Sequence, residues 1–429
     1  MLAIIVFAAA MLALGLWVTI RRKWYALGIF NAVWAVVFFA CRAELCQAIY
    51  AQTLLLLLMM IIMVNAGYFL SHRVPRLPLE PLAGSGEREL NEKLLIILLC
   101  VAGAIMLFYA VKTLFRFGFD LRAIRKYNNS DSETRVFETL VDTILYYGIA
   151  YPLCYLGALV LAYHFSQGIK MPTKILALEA VLLVLNMLTV AGRSIFLRVA
   201  LFFAAAILWR MHRPGGINWK LMRYVIAAGV ALLVVMEIST LARNKWEISF
   251  IEQALDYIRG SVTHMQYRLY RVDRQPDYGT IYCGYVVYGG FLYYPVKLLA
   301  ALGVEIQTSN EIMSFLQNVV SFELAGERIQ YNALVPNVFY HYYDSGYMGA
   351  LIFPALLGFA AGRCERMHEN HGFLKFVLWA TCVYAIVYSP LDGVLWAFRY
   401  PTAIIYCFIL QFFLFVPVKR RQRGQHEEN

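Results

Sequence analysis

Apolar and polar positions alternate along this chain in long blocks, not in the short periods of a soluble fold. Three runs set the pattern: TLLLLLMMIIMVNAGYFL (Thr53–Leu70), LLIILLCVAGAIMLFYAV (Leu94–Val111) and YVIAAGVALLVVMEISTLA (Tyr224–Ala242). Each is long enough to cross a hydrocarbon core of about 30 Å. The whole pattern predicts eleven spans, over residues 2–20, 24–41, 48–70, 94–111, 140–163, 174–191, 194–210, 224–242, 347–362, 373–390 and 400–418. The expected fold is an all-α polytopic membrane protein, with residues 1–429 forming one transmembrane domain. Two long segments interrupt it, 112–139 and 243–346, expected to be the first and the large extracytoplasmic loops. The second is too aromatic for disorder, which goes with low hydrophobicity.

The segment YGTIYCGYVVYGGFLYYPVKLLAALGV (Tyr278–Val304) breaks the pattern. It is long enough to span, but Gly284, Gly289, Gly290, Pro295 and Lys297 interrupt it. A crossing here would also reverse the sidedness of everything after it. It is expected to be a re-entrant or interfacial element, with its backbone covered by protein.

Charge orients the spans. No basic residue precedes the first apolar stretch, and Arg21, Arg22 and Lys23 follow it. A cleavable signal has its positive charge first. The reverse order predicts an outside N-terminus. Cytoplasmic loops then hold Arg73, Arg76, Arg88, Lys93, Arg210, Arg213, Lys220, Arg223, Arg363 and Arg366, and a cytoplasmic tail opens with Lys419–Arg423. The net charge of +11 is accounted for this way, which argues against nucleic acid as a partner. Composition agrees, with 61% hydrophobic and 15% charged residues against roughly half and a quarter in soluble chains.

The remaining charges need a different reason. Arg122 and Arg125 lie three residues apart, on one face of a helix. Arg193 falls at the outer junction of two spans, Arg198 more than a turn inside the second, and Arg243 at the outer end of the span that holds Glu237. An ionisable group at membrane depth costs at least about 2.5–3.5 kcal/mol, so it pairs or binds something. Arg198 and Glu237 are candidates to neutralise each other. Arg122, Arg125, Arg193 and Arg243 either snorkel or hold an anion. Guanidinium grips phosphate bidentately and stays charged, so their gathering on the outer side favours an anionic ligand.

Other chemistry is sparse. His264 and His341 are the outer histidines available as bases. Cys364, His368 and His371 have the nearest metal-like spacing, but they fall in a cytoplasmic loop. The eight cysteines form no CxxC pair, and no P-loop or serine triad occurs. The expected chemistry uses neither metal nor cofactor.

The sharpest polar signal is YNALVPNVFYHYYDSGYMG (Tyr331–Gly349), set directly before the apolar run ALIFPALLGFAAG. Asn332 and Asn337 offer side-chain amides, and Tyr340 and Tyr342 offer aromatic faces. His341 and Asp344 are candidate bases, and Gly346 and Gly349 permit a tight turn. An aromatic belt with an Asx-type turn would use the same residues.

This stretch resembles the Wzy-type O-antigen and capsular repeat-unit polymerases. In that family an Asn, a Phe/Tyr-rich turn and an acid-x-Gly-x-x-Gly run lead into a late membrane helix. Here Asn332, Asn337, Tyr340, Tyr342, Asp344, Gly346 and Gly349 match, with Ser345 replacing the usual aromatic. AGRSIFL, FDLRAIR and LARN resemble the family's arginine segments. The resemblance implies a membrane glycosyltransferase-like fold with a large late extracytoplasmic loop, in a bacterial inner membrane. It implies metal-independent transfer of a growing glycan from undecaprenyl diphosphate to a hydroxyl of the next lipid-linked unit. Arg193, Arg243, His341 and Asp344 would be catalytic. Arg122, Arg125, Arg198, Asn332, Asn337, Tyr340 and Tyr342 would bind substrate. The chain-length regulator and flippase of the pathway would be partners. The alternatives are an O-antigen ligase, which would share this pattern, and a lipid-oligosaccharide flippase, which would spread its polar residues along a central path with short loops on both faces.

Overall fold

The computed structural model describes residues 2–41, 49–75, 88–121, 123–124, 136–137, 139–192, 194–212, 216, 223, 226–227, 229–230, 233–238, 240, 250–270, 281–324, 327–331, 334–367 and 372–417. The long helices are α1 (Leu2–Trp17, continued by a π-helical turn to Arg22), α2 (Tyr25–Ala40), α3 (Ala51–Arg73), α4 (Glu92–Phe117), α5 (Val141–Gln167), α6 (Thr173–Val190) and α7 (Ser194–Met211). After these come α8 (Phe250–Leu269) and three short helices, α9 (Tyr285–Tyr288), α10 (Tyr293–Ala301) and α11 (Ser309–Ile312). The chain closes with α12 (Asn337–Glu365), α13 (Phe373–Tyr388) and α14 (Arg399–Leu414). Among the described residues, seven helices are long and apolar enough to cross a membrane, and α2, α13 and α14 are shorter apolar helices. This is a multi-pass helical membrane protein. Of the expected span at 224–242, the described residues 226–227, 229–230, 233–238 and 240 are helical.

Several boundaries differ from the hydropathy reading, each for a local reason. The expected span 94–111 is longer at both ends. Asn91 caps α4 by accepting from the Leu94 amide at 3.2 Å, and nothing stops the helix before Gly118, whose φ is +60°. The polar stretch 112–139 therefore opens with helix. Its Lys112 reaches back to donate to the Val136 carbonyl at 3.0 Å. α5 likewise runs on to Gly168, whose left-handed φ of +74° ends it. The described part of 278–304 forms no spanning helix. It breaks at its glycines into α9, a 3-10 turn at Gly289–Leu292, and α10.

Packing is tightest between α3 and α12. A Cβ on Gly67 or Gly358 would sit 2.0 Å from the Ala355 or Val64 carbonyl oxygen respectively. Lipid supplies no hydrophobic drive between helices, so backbones must approach at small residues to gain dispersion contact.

The helix ends form two unlike faces. On one, Arg366 donates to the Ser71 and Val74 carbonyls, and Arg363 to those of Val74 and Pro75. Arg210 donates to the Phe165 carbonyl, and Glu365 accepts from the Tyr25 amide that opens α2. There too, β1 (Arg88–Leu90) pairs antiparallel with β4 (Phe415–Pro417). The other face carries α8 to α11, the hairpin of β2 (Val320–Leu324) and β3 (Glu327–Tyr331), and the loop 389–398. Ser261 Oγ donates to the Pro390 carbonyl at 2.8 Å, and the Gly290 amide to Leu395 at 3.1 Å, so α8 and the broken segment both pack on that loop.

Candidate functional site

The Tyr331–Gly349 stretch is helical from Asn337 onward and bends sharply at Ser345 and Gly346. Gly346 has φ +60°, a conformation a side chain would resist. The first two turns of α12 thus stand apart from the long apolar part below. Gly349 closes the bend, because a Cβ there would lie 2.1 Å from the His341 carbonyl oxygen.

Asp344, at the bend, is fully buried. Its Oδ1 accepts from the Gly284 amide at 2.6 Å and from Ser345 Oγ at 2.6 Å. Its Oδ2 accepts from the Val286 and Val287 amides at 2.7 and 3.3 Å. The carboxylate therefore caps α9 and ties the broken segment to α12, and both oxygens are used.

A second carboxylate, Asp392, sits in the loop 389–398, against Tyr340 one turn before Asp344 on α12. Its Oδ1 accepts from Tyr340 Oη at 2.5 Å, the Gly393 amide at 2.8 Å and Trp396 Nε1 at 3.0 Å. Tyr340 also stacks on Trp396, with ring centroids 5.3 Å apart. The Asn337 amide donates to the Ser389 carbonyl at 2.7 Å, which registers α12 against this loop. Asp392 Oδ2 takes no hydrogen bond from a described residue, and the side chain keeps part of its surface accessible. Burial pushes its pKa up to about 6, against the pull of those hydrogen bonds and of the Arg198 guanidinium. At neutral pH it is an ionised acceptor with one oxygen pinned and one open.

Arg198 lies close enough for its charge to be felt at Asp392, yet it makes no ion pair with it, nor with Glu237. Its Nη1 donates to Tyr155 Oη at 2.7 Å and Tyr151 Oη at 3.3 Å. Nε is buried without a hydrogen-bond partner among the described residues, and Nη2 donates to none of them either. That Nε–Nη2 edge is the one a phosphate grips bidentately. A π-helical stretch at Ile144–Ala150 widens α5 just before Tyr151. The Tyr147 ring carries Arg399 at 4.2 Å from its centroid.

Of the residues expected from sequence, Asn337, Tyr340 and Arg198 converge on Asp392. His341 and Tyr342 do not. The His341 ring is buried against Phe353, and its Nδ1 has no partner among the described residues. Tyr342 Oη accepts from Gln52 at the start of α3. His264 is structural. Its Nε2 accepts from Arg268 Nε at 2.9 Å, which leaves Nδ1 to donate to the Leu334 carbonyl at 3.1 Å. Burial and the neighbouring Arg268 guanidinium push its pKa down to about 4, so it stays neutral. Arg122, Arg125, Arg193, Arg243, Asn332, His368 and His371 lie outside the described residues.

Sequence reasoning missed Asp392, Trp396, Arg399 and the tyrosines of α5. A signal was present: LDGVLWAFRY (Leu391–Tyr400) sets Asp-Gly, Trp, Arg and Tyr between the last two apolar runs. Among known proteins, no family, no curated sequence and no solved structure matches this chain.

Proposed function

We propose that this protein polymerises undecaprenyl-diphosphate-linked oligosaccharide repeat units at the outer leaflet of a bacterial cytoplasmic membrane, without a metal. In this reading the face bearing Asp392 is extracytoplasmic, and the face where Arg210, Arg363 and Arg366 bind helix ends is cytoplasmic. The reading rests on one observation: a guanidinium whose Nε–Nη2 edge has no hydrogen-bond partner among the described residues, near a carboxylate with one oxygen pinned and the other without a donor among them.

The chemistry follows from that pair. The bond from the anomeric carbon of the growing glycan to its diphosphate breaks, and its electrons stay on the phosphate oxygen. A sugar hydroxyl of the next unit bonds the same carbon, and its proton passes to Asp392 Oδ2. The products are a glycan one unit longer and free undecaprenyl diphosphate. Charge grows on the diphosphate as the bond breaks, and fixed cations aimed at it lower the barrier. Arg198 supplies one. Arg193, five residues earlier in the chain, and Arg243 are assigned the same task, with Arg122 and Arg125 holding the lipid-linked substrate. Asn337 and Tyr340 orient the acceptor sugar. Asp344 holds the broken segment in place.

The test uses purified protein in nanodiscs with lipid-linked repeat units as the only substrate. A ladder of glycan lengths is expected, and transfer solely to an added lipid A core would make it a ligase instead. Arg193→Ala and Arg243→Ala should each abolish the ladder while the protein still inserts. Wild-type ladders from both variants would remove the diphosphate role.

A further inference from the structure

On the far side of α8 from Asp392 lies a cleft of about 400 Å³, within the range of roughly 300–1,000 Å³ typical of small-ligand sites. It is lined by Tyr50, Thr263, Gln266, Tyr267, Tyr270 and Phe322. These are four aromatic rings, three of them tyrosines, with one amide and one threonine hydroxyl, and no charged side chain among them.

The cleft is built from three parts fixed to one another. Gln266 Oε1 accepts from the Tyr50 amide at 2.8 Å, which holds the entry to α3 against α8. Arg268 donates from Nη2 to the Asn318 carbonyl at 2.5 Å, which holds the approach to β2. Thr263, Gln266 and Phe322 form a buried floor, and Tyr50 and Tyr270 are exposed at the rim, 59% and 68% accessible. Thr263, Tyr267 and Tyr270 recur at the spacing of one helix face, with Ser261 on the opposite face, donating to the loop of Asp392.

We propose that this cleft binds neutral sugar rings of the glycan, at a subsite remote from the reacting end. Aromatic faces are negative and match the slightly positive C–H faces of a pyranose, and the Thr263 hydroxyl, which donates to the Arg259 carbonyl at 3.3 Å, keeps its oxygen as an acceptor for a sugar hydroxyl. An acyl chain would have no use for that polar floor, and an anionic ligand would find no cation in the lining. The width of α8 separates the cleft from Asp392, about 10–12 Å, the length of a short oligosaccharide rather than of one ring. The subsite would hold distal sugars while the terminal hydroxyl or diphosphate lies at Asp392 and Arg198. This rests on the polymerase reading for the glycan's identity, but sugar binding itself can be measured without it.

The probe is a printed array of bacterial capsular and O-antigen fragments, exposed to the protein in nanodiscs. Any glycan retained is then examined by saturation-transfer NMR. Retention of neutral fragments is expected, with transfer to ring C–H protons. Tyr50→Ala and Tyr270→Ala remove rim groups that the fold does not bury, and each should weaken retention about tenfold, the upper worth of one aromatic contact. In the ladder assay these variants should still join units but stop at shorter lengths. No retention by the wild type, or retention unchanged in both variants, overturns the subsite. Retention without any ladder supports the cleft and overturns the polymerase reading instead.

Discussion

Two aspartates on one face of this protein show how a carboxylate can be used in opposite ways. Asp344 spends both oxygens on three backbone amides and a serine hydroxyl, and none of it is accessible. Asp392 concentrates three donors on one oxygen and leaves the other without a donor among the described residues, within reach of the Arg198 charge. The first arrangement satisfies a helix start and fixes a broken segment. The second fixes a side chain's direction without consuming its basicity. Only the second has the geometry of a general base, which needs an open lone pair and a pKa near the working pH.

Substituting each aspartate separates these uses. Asp392→Asn keeps the size and the Oδ1 acceptor but cannot take a proton. General-base removal costs about 10²–10⁴-fold. We expect a loss of that size in the rate of unit joining, with KM for the lipid-linked unit little changed and the thermal midpoint preserved. A rate within threefold of wild type would strip Asp392 of its role. Asp344→Ala should act on the fold. It leaves three buried amides without an acceptor, each worth about 1–3 kcal/mol. A lower thermal midpoint and earlier proteolysis of 281–304 are expected, and a variant as stable as wild type would contradict the capping assignment.

The sequence carried much of the architecture, because membrane helices need unbroken apolar runs and short basic loops. The broken segment was legible for the same reason, since Gly284, Gly289, Gly290 and Pro295 are hard to fit in a spanning helix. Arg198 stood out as a charge inside an apolar run. Asp392 did not, because a short polar connector between two spans reads as an ordinary turn. Nor does composition show which oxygen of a carboxylate is consumed. Asp344 belongs to the more conspicuous stretch, yet its amide partners lie 57 to 60 residues away in the chain. Only the folded path brings α9 to it, and only the packing of α12 on the loop brings Tyr340 to Asp392.

The finest test of the contrast lies in the hydroxyl of Tyr340. It donates to Asp392 Oδ1 and stabilises the ionised form, so it holds the carboxyl lower than burial alone would. On the proposed function, joining requires the ionised carboxylate. The rate should therefore rise with pH through about 6 and level off above it. Tyr340→Phe removes the donor and keeps the ring on Trp396. The ionised form loses a partner, the proton binds more tightly, and the rising limb moves to higher pH. A hydrogen bond to a charged group contributes about 1.5–3 kcal/mol, of which Gly393 and Trp396 take up part, so a shift of about one pH unit is expected. The rate should fall several-fold at pH 6 and recover by pH 8. A merely structural tyrosine would lower the rate equally at every pH. A limb that stays in place, or moves to lower pH, would show that the carboxylate titrating in the reaction is not the one Tyr340 holds.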